Sequence, residues 1–187
     1  MKGIAVKPTI TFHATLSSKA SAGAVYAVLS DPNTHLVWAG EQAPMKGFRL
    51  LTMESPSGPA TVGTQFTSTG AGSKNGSMTF HDQSVVVHAE PGRRFGFDTE
   101  ARLERAHVKT WFCHFEHRYT IEPASDGSII AYTCEVYPKN YKPWWLKPLM
   151  RPMTRMMVNR THTKHMRNLS RIAEQVQAGG LGRAQAG

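Results

Sequence analysis

The chain has 187 residues, of which 40% are hydrophobic and 19% are charged. This length and composition predict one globular domain and exclude an intrinsically disordered chain. No apolar run approaches the roughly 18 residues of a membrane-spanning helix. The formal net charge is +9, and its location is uneven: nine Lys and Arg residues and no Asp or Glu lie between Val136 and Ala173.

The first part of the chain predicts a strand followed by two short helices. Alternation of apolar and polar residues over Thr9–Ser18 is typical of a strand. Ser21 is suited to cap a helix over Ala22–Ser30, which the Asp-Pro pair after it ends. A further helical turn over Asn33–Ala39 is expected to carry Trp38 towards the interior.

Six later segments predict strands, because each alternates or is rich in β-branched and aromatic residues and is bounded by Gly, Pro and Ser turns. They are Gly47–Met53, Thr61–Thr69, Ser77–Ala89, Arg94–Ala101, Lys109–Ile121 and Ser128–Tyr137. Short connections between consecutive strands favour a meander. With the first strand they predict a seven-stranded antiparallel sheet.

One long helix is predicted over Lys147–Gln177, where apolar residues recur every three or four positions. This helix is the available cover for the apolar face of the sheet, so an α+β fold with the sheet wrapped around it is expected. We expect space between sheet and helix unless large side chains fill it. Residues 1–178 then form one domain, and residues 179–187, which lack periodicity, are expected to be a disordered tail.

The two cysteines are predicted to stay reduced. They fall on neighbouring strands, and an Asp-Gly turn that pairs Ser125 with Ser128 places Cys113 opposite Asn140. Cys134 is then six residues further along, roughly 20 Å at strand rise, which is too far for a disulfide. Free thiols, and a first segment without a secretory signal, favour a cytoplasmic location.

Four segments carry a resemblance to a known family. They are ASAGAVYAVLSDPNTHLVWAG, VGTQF, AEPGRRFGFDTE and HMRNLSRIAEQ. Together they resemble the polyketide cyclase/dehydrase branch of the START-like (SRPBCC) superfamily over about residues 9–177. The resemblance implies a helix-grip fold with an internal apolar cavity for a lipid, sterol, polyketide or similar ligand. The superfamily includes carriers, receptors and enzymes, so the fold alone does not fix the activity.

Strand parity predicts which side chains face that cavity. Odd positions on the Lys109–Ile121 strand and even positions on its partner form the apolar face. Polar side chains within this face are expected to line a wet cavity or to form a satisfied core network. The candidate ligand-binding residues are Trp38, Thr64, Phe66, Phe95, Phe97, Trp111, Phe115, His117, Tyr119, Tyr132, Met153, Met157 and His165.

Two functions remain as alternatives to simple ligand binding. A cyclase, aromatase or dehydratase would use His117 as a proton shuttle and Tyr119 or Tyr132 to orient a carbonyl. A lipid-transfer protein would dock on an anionic membrane through a lid that carries Trp144, Trp145, Lys147 and Arg151. A lid that simply closes the cavity is the plainer interpretation of this segment.

Other classes of site are not expected. His114 and His117 point to opposite faces of a strand and cannot share a metal ion. His162 and His165 are better explained as core or cavity histidines, since no carboxylate is near them in sequence. No nucleotide-binding loop or esterase motif is present. We therefore expect no metal or cofactor and no nucleic-acid partner.

Overall fold

The structure, a computed structural model, describes Pro8 and residues 10–40, 49–72, 78–105, 108–140 and 147–179. Within these ranges residues 108, 109 and 147–159 are described by their backbone alone. In the described part no helix is long and apolar enough to cross a membrane. Several sequence predictions lie outside it: the tail after Gly179, the residues Trp144 and Trp145, and the side chains of Met153, Met157, Lys147 and Arg151.

The described residues form seven strands, three α-helices and one 3-10 turn. In chain order these are β1 (Ile10–Ser18), α1 (Ala22–Ser30), the 3-10 turn (Pro32–Thr34), α2 (His35–Ala39), β2 (Arg49–Glu54), β3 (Gln65–Ala71), β4 (Met78–Glu90), β5 (Arg94–Arg105), β6 (Val108–Ala124), β7 (Gly127–Pro138) and α3 (Lys147–Gln177). The strands pair antiparallel in the order β1-β7-β6-β5-β4-β3-β2. This is the helix-grip α+β fold predicted from the sequence.

Local capping sets the two short helices. The Ser21 hydroxyl accepts a hydrogen bond from the backbone N–H of Ala24 at 3.3 Å, which satisfies a free donor of α1. Asp31 ends α1 and its carboxylate accepts from the backbone N–H of Asn33 at 3.1 Å, so it caps the 3-10 turn. The two caps mark the ends of α1 at the predicted boundaries.

The last turns of α3 are fixed to the corner between β1 and α1 by hydrogen bonds. The side chain of Gln177 accepts from the backbone N–H of Ser21 at 2.6 Å, and that of Glu174 accepts from Lys19 N–H at 3.2 Å. The hydroxyls of Ser170 and Ser18 lie 2.7 Å apart, both buried. Apolar side chains of the same helix half, such as Leu169, complete the contact with the core.

The β6–β7 hairpin differs from the predicted register by two residues. Ala124 pairs with Gly127, so that Cys113 lies opposite Pro138 rather than Asn140. A shift of two keeps every side chain on its predicted face, because the side-chain period of a strand is two residues. Cys134 is therefore four residues from the partner of Cys113, roughly 13 Å at strand rise, and both cysteines are free.

One predicted strand begins later than its pattern indicates. Thr61–Thr69 was expected to be extended, but Val62 and Gly63 form a turn and β3 starts at Gln65. Gly63 has a positive φ of 89°, a conformation that a strand does not contain. Val62 is consequently 64% exposed and not part of the inward face.

Replacing a buried residue of α3 tests whether this helix holds the core. Leu169 is fully buried, so Leu169→Ala should lower the free energy of unfolding by about 2–5 kcal/mol. Arg167→Ala, an exposed position on the same helix, should change it by about 0.5 kcal/mol or less. Urea unfolding at constant m-value measures both, and equal effects of the two variants would contradict this packing.

Candidate ligand-binding cavity

A cavity of about 320 Å³ lies between the inner face of the sheet and helices α2 and α3. Its wall is mostly apolar and aromatic, and all seven strands of the sheet contribute side chains to it. The apolar part includes Ile10, Phe12, Leu50, Met53, Phe66, Phe80, Phe97 and Phe115. This volume falls within the range of small-molecule sites, at its lower end.

The sheet register places the cavity side chains in rows across neighbouring strands. In one row Thr99 of β5 pairs with Phe115 of β6, which pairs with Val136 of β7. In the next row Phe97 pairs with His117, which pairs with Cys134. All six side chains line the cavity, so the inward parity predicted for β6 and β7 is confirmed.

Seven rings around the cavity form a closed sequence of contacts, which we call the aromatic circuit. Each ring centroid lies 4.5–6.3 Å from the next. The order is His35, Trp38, His165, His162, Tyr132, His117, Phe97 and back to His35. The circuit connects α2 and α3 with β5, β6 and β7 and surrounds one end of the cavity.

Two members of the circuit are joined by a hydrogen bond on the sheet. The Nδ1 atom of His117 lies 2.8 Å from the hydroxyl of Tyr132. Burial, followed by the neighbouring His162, lowers the pKa of His117 to about 3. Burial also raises the pKa of Tyr132 and of the adjacent Tyr119 well above the usual range. The imidazole and both phenols are therefore neutral near pH 7.

The other three histidines of the circuit are also neutral. Burial lowers the pKa of His162 to about 3 and those of His35 and His165 to about 4. His35 Nε2 lies 3.2 Å from the backbone carbonyl oxygen of Leu29 and donates to it. The protein thus places four uncharged imidazoles around a largely apolar space.

A carboxyl group occupies the opposite part of the wall. Asp82 of β4 pairs across the strands with Ser68, and the two side chains are hydrogen bonded. Burial raises the pKa of Asp82 to about 7, although the Ser68 bond lowers it in part. The next inward-facing pair of β4 and β5, towards the aromatic circuit, is Ser84 and Thr99, whose hydroxyls share a hydrogen bond of 2.8 Å. Polar groups therefore lie at both ends of the cavity.

A close approach of ring and backbone shapes the wall beside β3. Gly70 pairs with Phe80 of β4, and a Cβ atom at Gly70 would lie 2.0 Å from the Phe80 ring and 2.4 Å from the carbonyl oxygen of Arg49. No side chain fits there. The ring of Phe80 consequently lies across the glycine while it also lines the cavity.

Most of the candidate residues from the sequence meet at this cavity. Those that line it are Trp38, Phe66, Phe97, Phe115, His117, Tyr119, Tyr132 and His165. Thr64 instead bonds to Thr61 in the turn before β3, and Phe95 is buried under Tyr26 of α1. Trp111, beyond Phe115 on β6, is likewise not part of the described wall.

Sequence reasoning did not identify His35 and Asp82 as site residues. His35 lies in α2, a five-residue helix too short to show a periodic apolar face. Asp82 shares its strand face with Phe80, Ser84 and Val86, which are all buried. The alternation of β4 could therefore have predicted that Asp82 faces inward, although carboxylates are rarely found at inward positions.

The described residues contain no group of three or more His, Cys, Asp or Glu side chains arranged to hold a metal ion. His162 and His165 are neighbours in the aromatic circuit, with ring centroids 6.1 Å apart. Both line the cavity, in agreement with their interpretation as core or cavity histidines.

The four neutral histidines predict steep acid destabilisation. Their folded pKa values lie below the value of about 6.5 in the unfolded chain, so their contribution is complete above pH 6.5 and is lost as pH falls. Each histidine adds up to about 1.4 kcal/mol per pH unit to this slope between about pH 6 and 5, and Asp82, whose pKa is raised, contributes a slope of opposite sign. Chemical unfolding measured from pH 7.5 to 5 should show this slope.

His162→Phe should reduce that slope by about one proton, or about 1.4 kcal/mol per pH unit. Phe12→Leu is the control, because it alters the same wall next to His162 without removing a titrating group. It should shift stability equally at every pH. A slope that His162→Phe leaves unchanged would show that this imidazole is already able to protonate in the folded protein.

Comparison with known proteins places the chain in a family. The family model described as polyketide cyclase/dehydrase and lipid transport matches residues 9–174. No curated protein matches the chain significantly.

Solved structures share the fold at low sequence identity. The protein CV1439 from Chromobacterium violaceum is 17% identical with a TM-score of 0.59, over 88% of this chain and 96% of that one. An uncharacterised protein from Rhizobium leguminosarum is 16% identical with a TM-score of 0.58, over 88% and 97%. A protein from Rhodobacter sphaeroides is 13% identical with a TM-score of 0.58, over 91% and 95%. On the match of its sequence to the family model, the chain belongs to the polyketide cyclase/dehydrase and lipid transport family.

Proposed function

We propose that this protein binds a small, mostly hydrophobic molecule in the cavity between the sheet and α3, and holds it without changing it chemically. The observation that carries the proposal is the cavity itself, about 320 Å³ with a largely apolar wall. By volume this space would hold about ten water molecules. Water molecules find few hydrogen-bond partners on an apolar wall, so an apolar occupant is favoured.

The chemistry of the wall supports a ligand class. Aromatic and aliphatic side chains provide most of the contact, and the polar part of the wall includes the neutral histidines and tyrosines together with Asp82 and Arg49. This pattern suits a lipid, sterol or polyketide-like molecule with few polar atoms. A ligand with several charges is disfavoured, because Arg49 and Asp82 could pair with at most two of them and the other charges would lose hydration without an ion pair.

An enzyme of the cyclase or dehydratase type is the second candidate. The hydrogen bond between His117 and Tyr132 favours it, since a paired imidazole and phenol are typical proton-transfer groups. Against it, the pKa of His117 near 3 makes the imidazole a weak base at neutral pH. The phenols Tyr119 and Tyr132 remain suited to orient a ligand carbonyl. Binding is therefore the function that we favour.

A lipid-transfer role is the third candidate. Arg160, Lys164, Arg167 and Arg171 are exposed at steps of four, three and four residues, so they form one basic stripe on α3. A stripe of this kind is attracted to anionic lipid. The sequence prediction of a membrane-docking lid at Trp144 and Trp145 concerns residues outside the described part, and it remains a prediction.

Native mass spectrometry of protein purified from its host should reveal a retained lipid or metabolite. Recovery of that molecule with unchanged mass after incubation supports binding, whereas a new product would favour the enzyme. The uncharged dye N-phenyl-1-naphthylamine provides a probe for affinity. Ala101→Leu, which extends a buried wall residue into the cavity, should weaken its binding at least about tenfold.

Arg102→Leu is the matched control for this substitution. It is the next residue of β5, its side chain is half exposed on the outer face, and its ion pair with Glu104 contributes little to stability. It should leave dye affinity unchanged. Equal affinity in both variants, or no dye binding and no retained molecule in the parent protein, would refute the proposed function.

Liposome co-sedimentation tests the transfer role. Vesicles containing anionic lipid should bind the protein at low salt and release it as salt rises. Replacing both Trp144 and Trp145 by Ala should weaken binding to these vesicles, while neutral vesicles serve as the control. An absence of binding at low salt would eliminate membrane docking and leave the cavity proposal unaffected.

A further inference from the structure

Three side chains of the cavity wall carry buried polar atoms without a hydrogen-bond partner. Among the described residues, such atoms are Trp38 Nε1, His165 Nε2, Asp82 Oδ1, Ser30 Oγ and Asp98 Oδ1. The first three belong to residues that line the cavity. Asp98 is instead ion-paired with Arg118 at 2.7 Å. Ser30 does not line the cavity and provides an internal comparison.

Burial of these groups is costly unless something in the cavity binds them. An unpartnered buried donor or acceptor costs about 1–3 kcal/mol. Because proteins rarely leave such atoms unpaired, three of them on one cavity wall indicate positions where a ligand atom or a bound water completes the bond. The chemistry of each atom then limits what that ligand atom is.

The first two atoms lie in the aromatic circuit and fit an oxygen acceptor. The indole N–H of Trp38 only donates, so its partner must accept. The ring of His165 lies 6.3 Å from that of Trp38, and its Nε2 donates or accepts according to its tautomer. A carbonyl or hydroxyl oxygen between the two rings satisfies Trp38 and, in the matching tautomer, His165.

The third atom lies at the other end of the cavity and fits a hydroxyl. Asp82 already bonds to Ser68, and its Oδ1 remains without a partner. With a pKa near 7, this carboxyl is present in both protonated and ionised forms at neutral pH. A hydroxyl suits both forms, because it accepts from the acid and donates to the carboxylate.

The sheet gives the separation between the two ends. Asp82 pairs with Ala101 of β5, and four residues along that strand lies Phe97, whose ring is 5.9 Å from that of His35 in the aromatic circuit. Four residues of a strand span roughly 13 Å. The wall between them is aromatic and aliphatic apart from the self-paired Ser84 and Thr99.

We propose that the cavity selects an elongated apolar molecule with a carbonyl or hydroxyl oxygen at one end, bound by Trp38 and His165, and a hydroxyl at the other end, bound by Asp82. This inference rests on the proposed function and refines it to a ligand class. It assigns Trp38, His165 and Asp82 as specificity-determining residues, and it gives no chemical role to the pair His117 and Tyr132.

A matched set of twelve-carbon probes tests the proposal by displacement of N-phenyl-1-naphthylamine. The set is dodecane, its methyl ketone 2-dodecanone, and 12-hydroxy-2-dodecanone, which adds a terminal hydroxyl. Each added polar group should tighten binding about three- to tenfold, the gain expected for one hydrogen bond. The ketone tests the end at Trp38, and the hydroxyl tests the end at Asp82.

Variants assign each gain to its residue. Asp82→Leu should abolish the gain from the hydroxyl and keep that from the ketone, whereas Trp38→Phe should do the reverse. Asp82→Asn, which retains an acceptor oxygen, should restore much of the hydroxyl gain. Ser30→Ala, which removes an unpartnered hydroxyl away from the cavity, should change neither gain. Thermal unfolding at pH 8 verifies folding, and Asp82→Leu should be no less stable there, because it removes a buried carboxylate.

The outcomes separate this inference from the proposed function. If the dye binds but the polar probes bind no tighter than dodecane, or if both gains survive both variants, the selectivity for two polar ends is wrong and the cavity function stands. If the dye binds and no twelve-carbon probe displaces it, the elongated ligand is wrong. If the dye does not bind at all and no host molecule is retained, the proposed function fails together with the inference.

Discussion

The cavity depends on the way in which α3 is attached to the rest of the fold. Glu174 and Gln177 accept hydrogen bonds from the backbone of the β1–α1 corner, and Ser170 contacts Ser18 in the same place. The carboxy-terminal half of the helix is therefore in close contact with the core. Further back, from Met166 to His162, the contacts of the helix change from small and aliphatic side chains to aromatic rings. At this point the cavity lies between the helix and the sheet, and Thr161, His162 and His165 of α3 line it.

The residues at this gap explain why the core does not close. Aromatic pairs prefer offset-stacked or edge-to-face contacts with ring centroids about 4.5–7 Å apart. The aromatic circuit links two helices to three strands at such separations, so it supports the helices away from the sheet. Four of its rings are imidazoles that burial keeps neutral. The same four histidines therefore line the cavity and are expected to lower the free energy of unfolding in acid.

The sequence was sufficient to predict the features that depend on a periodic pattern or on a local cap. The capped helix α1, the length of α3 and the inward parity of β6 and β7 all follow from period and capping chemistry, and the structure has them. The hairpin register differed by two residues because an Asp-Gly pair is compatible with more than one turn, while parity alone does not distinguish registers that differ by two. The resemblance to the START-like family implied the cavity, and the structure has one.

Several features of the site depend on contacts that a linear pattern does not contain. His35 enters the cavity because the Asp31 cap turns the chain, and Phe95 leaves it because α1 covers the end of β5 that carries this residue. Thr64 precedes a strand rather than lying within it. In each case the position of a neighbouring element decides whether a side chain of suitable chemistry meets the cavity.

Gly70 couples the pairing of β2 and β3 to the shape of the cavity. A Cβ atom at position 70 would lie 2.0 Å from the Phe80 ring and 2.4 Å from the carbonyl oxygen of Arg49, so a methyl group there would have to displace both the ring and the backbone of β2. The Phe80 ring borders the cavity. A methyl group at position 70, outside the wall, would therefore reduce the volume open to a ligand and disturb the pairing of β2 with β3 at once.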